Sequence, residues 1–236
     1  MWDFAEGEVL AFDKPLHWTS FDLVAKVRYA LCRKLGKKKL KVGHTGTLDP
    51  LATGVVVICT GKKTKLIDQL QYDVKEYEAT LQLGATTPSY DMEKEVDATY
   101  PTAHITRELI DRTIPAFLGE QWQVPPMFSA VQINGKRAYE LARKGETVEL
   151  KPKLLVIDAI EVLRFDADKM QLTIRVVCSK GTYIRALARD IGERLGSGAY
   201  LTALRRTRVG QINVNDCYTI DQFLDQLKDY NYVQDE

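Results

Sequence analysis

Asp49 is the one carboxylate in the stretch GHTGTLDPLATG, residues 43–54. A single fixed carboxylate can attack as a nucleophile or take a proton as a base. The stretch adds one histidine, His44, and a proline after the aspartate that stiffens the turn. Its glycines open backbone angles closed to other residues. Such a chain is an ordinary surface loop unless something anchors it. The run Val55 to Cys59 that follows reads as a fully buried strand, and a loop tied to a core strand can hold Asp49 in place.

Several chemistries fall away. A glycosidase needs two converging carboxylates, and the central loop offers one. Residues 54–63, GVVVICTGKK, have the wrong glycine spacing for a phosphate loop, and Lys63 stands where a hydroxyl should hold magnesium. Neither GxSxG, HExxH nor GxGxxG occurs, and three histidines without CxxC pairs make a metal site an unfavoured expectation. Cys32, Cys59, Cys178 and Cys217 lie in apolar surroundings and are expected to be reduced. The acidic N-terminus lacks the form of a signal peptide, so the expected location is cytoplasmic.

The net charge of +1 conceals strong patterning. Residues 1–65 carry 12 Lys/Arg against 6 Asp/Glu, with no acid between Asp22 and Asp49. Residues 66–120 carry 4 against 11, residues 166–215 carry 9 against 4, and residues 216–236 carry 1 against 6. Basic segments alternating with acidic ones fit a polyanion groove on a soluble body. For RKLGKKKLK, residues 33–41, a solvated helix end accounts for the lysines equally well.

The elements that must position these residues follow from periodicity and caps. Glu8 to Phe12 is a short strand closed by Asp13-Lys14-Pro15. Thr19 to Asp22 resembles a capping box, opening a helix to Leu35 with Phe21, Val24, Val27, Leu31 and Leu35 on one stripe. A short helix is expected near Thr64 to Leu70. Lys75 to Leu83 alternates, placing Tyr77 with Ala79, Leu81 and Leu83, and periodicity alone makes Tyr77 a core tyrosine. Ala85 to Pro101 reads as a mobile loop and Arg107 to Phe117 as a helix. Met127 to Ile133 reads as a strand, Asn134-Gly135 as a turn and Lys136 to Lys144 as a helix. Strands follow at Thr147 to Leu150, Leu154 to Phe165 and Met170 to Cys178. SKGTYIR, residues 179–185, leads into a helix to Leu195, with Arg185 in its first turn. A cation there opposes the macrodipole and calls for a carboxylate or a polyanion. Ala199 to Val209 is a strand, and Thr219 with Gln222 caps a last helix. The class is mixed α+β with a largely antiparallel sheet.

One carboxylate, buried tyrosines and basic flanks suit chemistry on an RNA base held outside its stack. Here the chain resembles the TruB-type tRNA pseudouridine synthases, through DKP and TS at 13–20, GHTGTLDPLATG at 43–54, KEYEA at 75–79, SKGTYIR at 179–185 and LRR at 204–206. The resemblance implies a mixed, mostly antiparallel central sheet with flanking helices and a catalytic cleft, and isomerisation of uridine 55 in the tRNA T-loop, with neither cofactor nor metal. It places the essential aspartate at Asp49, leaving open whether that group attacks the sugar, attacks the base or removes a sugar proton. Tyr77 matches the tyrosine that stacks on the target base, and Arg185 the arginine that pairs with the aspartate. Tyr183 and Leu204 match pocket-lining residues. His44, a hydrogen-bonded loop histidine on the residues alone, matches the histidine that contacts RNA where the uridine leaves its stack. Lys14 and Pro15 match supports of the active-site loop. The expected organisation is a catalytic domain at 1–212 and a short acidic extension at 213–236, without the PUA module of many members. The expected partner is the tRNA T-arm, bound by a monomer. A tRNA-folding module, or a synthase for another RNA, is the rival reading.

Overall fold

A computed structural model describes residues 2–4, 6–71, 73–129, 131–133, 135–146 and 148–230. The chain begins β1 (Val9–Lys14), α1 (Ser20–Lys34), β2 (Val42–His44) and β3 (Ala52–Thr60). A 3-10 turn leads to α2 (Ile67–Leu70), then β4 (Lys75–Leu83), β5 (Ala85–Thr86), β6 (Ala98–Thr99) and α3 (Arg107–Thr113). Next come β7 (Gly119–Gln123), β8 (Gln132–Ile133), β9 (Lys136–Arg137) and α4 (Ala138–Arg143). The chain closes with β10 (Lys153–Asp166), β11 (Gln171–Cys178), α5 (Ile184–Arg194), β12 (Ala199–Val209), β13 (Ile212–Asn213) and α6 (Ile220–Asp229). The class is α+β, as expected. Among the described residues no helix is long and apolar enough to cross a membrane.

Two compact units share the chain: Met1–Glu76 with Arg205–Glu236, and Tyr77–Leu204. In the first, β1 and β3 pair antiparallel, with Phe12 opposite Val56 and Lys14 opposite Gly54. β2 flanks β3, bringing His44 opposite Ile58. The expected buried strand is longer than its apolar run, reaching from Ala52 to Thr60. α1 opens on the anticipated capping box: the Thr19 hydroxyl accepts from the Asp22 amide at 2.9 Å, and the Asp22 carboxylate accepts from the Thr19 amide at 2.8 Å. A cap of this kind contributes about 1 kcal/mol. The buried face of α1 runs through Ser20, Leu23, Val24, Val27 and Leu31. Phe21, expected on that stripe, is instead 64% exposed. The face continues back from Val24 by four residues to Ser20, which leaves Phe21 about 60° to one side. α6 opens on the second expected capping box, Thr219 with Gln222, and lays Phe223 against Phe12.

In the second unit β4 alternates as anticipated, burying Tyr77, Ala79, Leu81 and Leu83. β10 and β11 pair antiparallel, with Val162 opposite Ile174 and Ile157 opposite Cys178. Leu172, Ile174, Val176 and Cys178 share the buried face of β11. β7, an element absent from the periodicity reading, pairs with β10 so that Leu155 faces Gln121.

Ala85 to Pro101 is largely a loop, as expected, but its ends pair, Ala85 facing Thr99 in β5–β6, and Thr87, Ser89 and Asp91 within it are buried. These polar residues face inward as hydrogen-bonding groups. Two strand expectations need correction. Of the strand expected over Met127 to Ile133, only Gln132–Ile133 forms. Residues 148–150 form no strand, and Thr147, like Asn134 of the expected turn, lies outside the described residues.

Candidate active site

The loop that carries Asp49 is held residue by residue. The Thr45 amide donates to the Val57 carbonyl at 3.0 Å, tying the loop's start to β3. Arg206, 2% exposed on β12, then spans three carbonyls. Its Nη2 donates to Gly46 at 3.2 Å, its Nη1 to Thr47 at 3.2 Å and its Nε to Val55 at 2.7 Å. A planar guanidinium offers several donors in one fixed fork, which a lysine cannot reproduce. The Ser20 hydroxyl bonds both backbone groups of Leu48. The Asp49 carbonyl accepts from the Ala52 amide at 3.0 Å, and the Pro50 carbonyl from the His17 amide at 2.8 Å. Every residue from Thr45 to Pro50 thus has a backbone group bonded. The half-buried Asp49 side chain is presented from a backbone with little freedom.

Gly54 closes this arrangement. It has φ +110°, and a Cβ there would lie 2.1 Å from the Arg206 carbonyl oxygen. Only glycine lets β3 approach β12 closely enough for the Arg206 fork to reach Val55. Beside it, Arg205 makes a two-point pair with Asp13, at 3.1 and 2.7 Å, and donates to the Thr53 hydroxyl.

Lys14 is fully buried, and its ammonium donates to the carbonyls of Pro15 at 3.0 Å and Trp18 at 2.6 Å. It therefore locks the segment between β1 and α1. Burial pushes its pKa down to about 8; the Asp49 carboxylate opposes that shift and the Arg206 charge adds to it. His44, half-buried at the end of β2, has its Nδ1 buried without a hydrogen-bond partner among the described residues. Burial, then the nearby Arg206 charge, lowers its pKa and keeps the ring neutral at pH 7.

The other expected site residues belong to the second unit. Tyr77 is 7% exposed on β4. Arg185 is buried in the first turn of α5, with Asp91 3.7 Å from its Nε. Its Nη1 donates to the carbonyls of Phe128 at 2.9 Å and Ser89 at 3.3 Å. A first-turn cation was expected to need a carboxylate, and within this unit Asp91 is one. Tyr183 is the N-cap of α5 without capping through its side chain. The Gln123 amide instead pins the Tyr183 backbone, accepting from the Tyr183 amide at 2.9 Å and donating to its carbonyl at 3.2 Å. Leu204 is half-buried on β12.

Sequence reasoning missed Arg206, Ser20, Asp91 and Gln123 as positioning groups. The available signal was weak: Arg206 stands among other arginines, and only the glycine at 54 hints that another backbone must come close.

Two family descriptions cover most of the chain. Residues 33–184 match the TruB family pseudouridylate synthase N-terminal domain, and residues 185–236 the tRNA pseudouridylate synthase B C-terminal domain. A protein named tRNA pseudouridine synthase B from Phocaeicola vulgatus is 65% identical over 225 residues, 95% of either chain. One of the same name from Bacteroides thetaiotaomicron is 63% identical, covering 99% of this chain and 98% of its own. The Flavobacterium johnsoniae protein of that name is 50% identical, covering 96% and 98%. Among solved structures, a chain of a Cbf5-Nop10-Gar1 complex is similar with a TM-score of 0.70 and 29% identity. The similarity covers 94% of this chain and 54% of that one.

Proposed function

The chain belongs to the TruB family of pseudouridylate synthases, and on that footing we propose that it isomerises uridine 55 in the T-loop of tRNA, with Asp49 as the reacting carboxylate. The enzyme is an isomerase, and the reaction leaves the composition of the nucleotide unchanged. The C1′–N1 bond breaks, the uracil turns, and C1′ joins C5. The hydrogen on C5 leaves as a proton, and N1 gains one.

The observation that carries this reading is the bonded backbone from Thr45 to Pro50, which holds one half-buried carboxylate on a fixed frame. Positioning of that kind removes much of the entropic cost of reaching a reactive geometry. Lys14 supplies positive charge near enough to interact with that carboxylate. In this reading the His44 ring contacts the RNA loop where the uridine leaves its stack, the role that the family resemblance implies. Tyr77 takes the target base as stacking platform, Tyr183 and Leu204 line its pocket, and Arg185 is the catalytic arginine. All four keep the roles that the family resemblance implies. The T-arm is the part of tRNA engaged.

The test is tritium release from a tRNA transcript labelled at uridine C5, comparing the wild type with Asp49→Asn. Formation of the new bond must expel that label. Release by the wild type at the T-loop uridine, abolished in the variant, is the expected result. Absence of release despite tight binding would overturn the isomerase reading, and release from another uridine would move the target.

A further inference from the structure

The first unit carries a groove of about 1080 Å³ that the mechanism above does not use. α1 forms one wall through Arg28 and Tyr29, and residues 38–43 form another, with Lys38, Lys39 and Lys41. No acid lines it, since the lining residues all lie within 25–43 or are Thr64 and Ile67. Among the described residues none of the four cations is in an ion pair. The lysines are not presented on a free tail. Gly36 at φ +64° ends α1 in a Schellman motif, with the Lys37 amide donating to the Cys32 carbonyl at 3.0 Å and the Gly36 amide to Arg33. The Lys41 carbonyl accepts from the Gly61 amide at 2.9 Å. Both ends of the basic segment are therefore anchored.

The geometry points to this groove as a binding site for an RNA phosphodiester backbone, separate from the base-handling loop. The inference rests on the proposed RNA substrate. The three lysines are exposed. Here they line a concavity floored by apolar side chains, and a low-dielectric wall strengthens the field of each charge. The cations are spread over two walls, which suits a run of phosphates better than one small anion. Tyr29, 62% exposed with the Arg33 guanidinium 5.9 Å from its ring centre, adds an aromatic surface at the rim. The wall leads directly to the site: Val42 and Gly43 line the groove, and His44 is the next residue of β2. A strand bound here is delivered toward His44 with no base read on the way, so the groove contributes affinity without sequence preference.

The test is the salt dependence of binding to a T-arm hairpin whose target uridine is replaced by cytidine. That RNA cannot be isomerised, so the outcome is independent of the tritium experiment. The triple variant Lys38→Gln, Lys39→Gln, Lys41→Gln changes exposed side chains only, and an unchanged thermal midpoint confirms its fold. The slope of log K against log salt should shrink by roughly 0.7–0.9 for each phosphate no longer neutralised, a fall of about 2–3 in all. Arg28→Gln, on the opposite wall, should shrink it by the equivalent of about one phosphate. An unchanged slope in both variants would return the lysines to solvated charges. Loss of binding to polyglutamate with RNA binding intact would overturn the proposal in favour of an acidic protein partner.

Discussion

The Ser20 hydroxyl and the Leu48 backbone close a two-way hydrogen bond, accepting from the amide at 2.8 Å and donating to the carbonyl at 3.2 Å. Ser20 is the first residue of α1, and Leu48 immediately precedes Asp49. One small side chain thereby couples the start of a helix to the position of the carboxylate proposed to react.

Ser20→Ala should leave both backbone groups of Leu48 buried without that partner, at a cost of about 1–3 kcal/mol in stability. Turnover should fall further than stability alone explains, because a misplacement of about 1 Å can cost roughly 100-fold in rate. Urea denaturation together with single-turnover kinetics on tRNA checks this. Full turnover in a destabilised variant would show that the pair serves folding only.

Lys14 links stability to pH. Its folded pKa of about 8 lies below the ordinary lysine value of 10.5. Between those values the unfolded chain binds more protons than the folded one, so stability rises with pH across that window. At neutral pH the folded state bears the full cost of a buried ammonium. The difference between wild type and Lys14→Met in urea midpoint, measured from pH 7 to 11, isolates this contribution. Wild type should gain relative to the variant above about pH 8; parallel curves would remove Lys14 as the source.

The pair of Arg185 and Asp91 is buried on both sides, with side-chain exposures of 6% and 9%. Asp91→Ala removes the carboxylate beside a buried guanidinium and should destabilise the protein by about 3–5 kcal/mol. Asp91→Asn, which keeps the shape, should cost less. Chemical denaturation of the two variants decides the point, and a loss below about 1 kcal/mol for Asp91→Ala would mean that the other acceptors of Arg185 suffice.

The amino-acid sequence by itself determined the local elements of this protein. Both capping boxes, the alternation of β4 and the buried faces of β3 and β11 were legible, because caps and periodicity act among residues a few positions apart. The spacing of GHTGTLDPLATG, read with SKGTYIR, was enough to mark the family and to make Asp49 the candidate. Only the tertiary structure decided which groups hold that loop still. Arg206 looks like one more cation in a basic strand until it is buried under three carbonyls, and Ser20 looks like a helix-start residue until Leu48 arrives. The polar run around Ser89 and Asp91 is a loop as read, but its burial makes sense only once Arg185, some ninety residues later in the chain, needs acceptors in the core. Burying a charge or an amide is costly unless a partner is supplied. That partner comes from whatever the fold brings near, which no local spacing records.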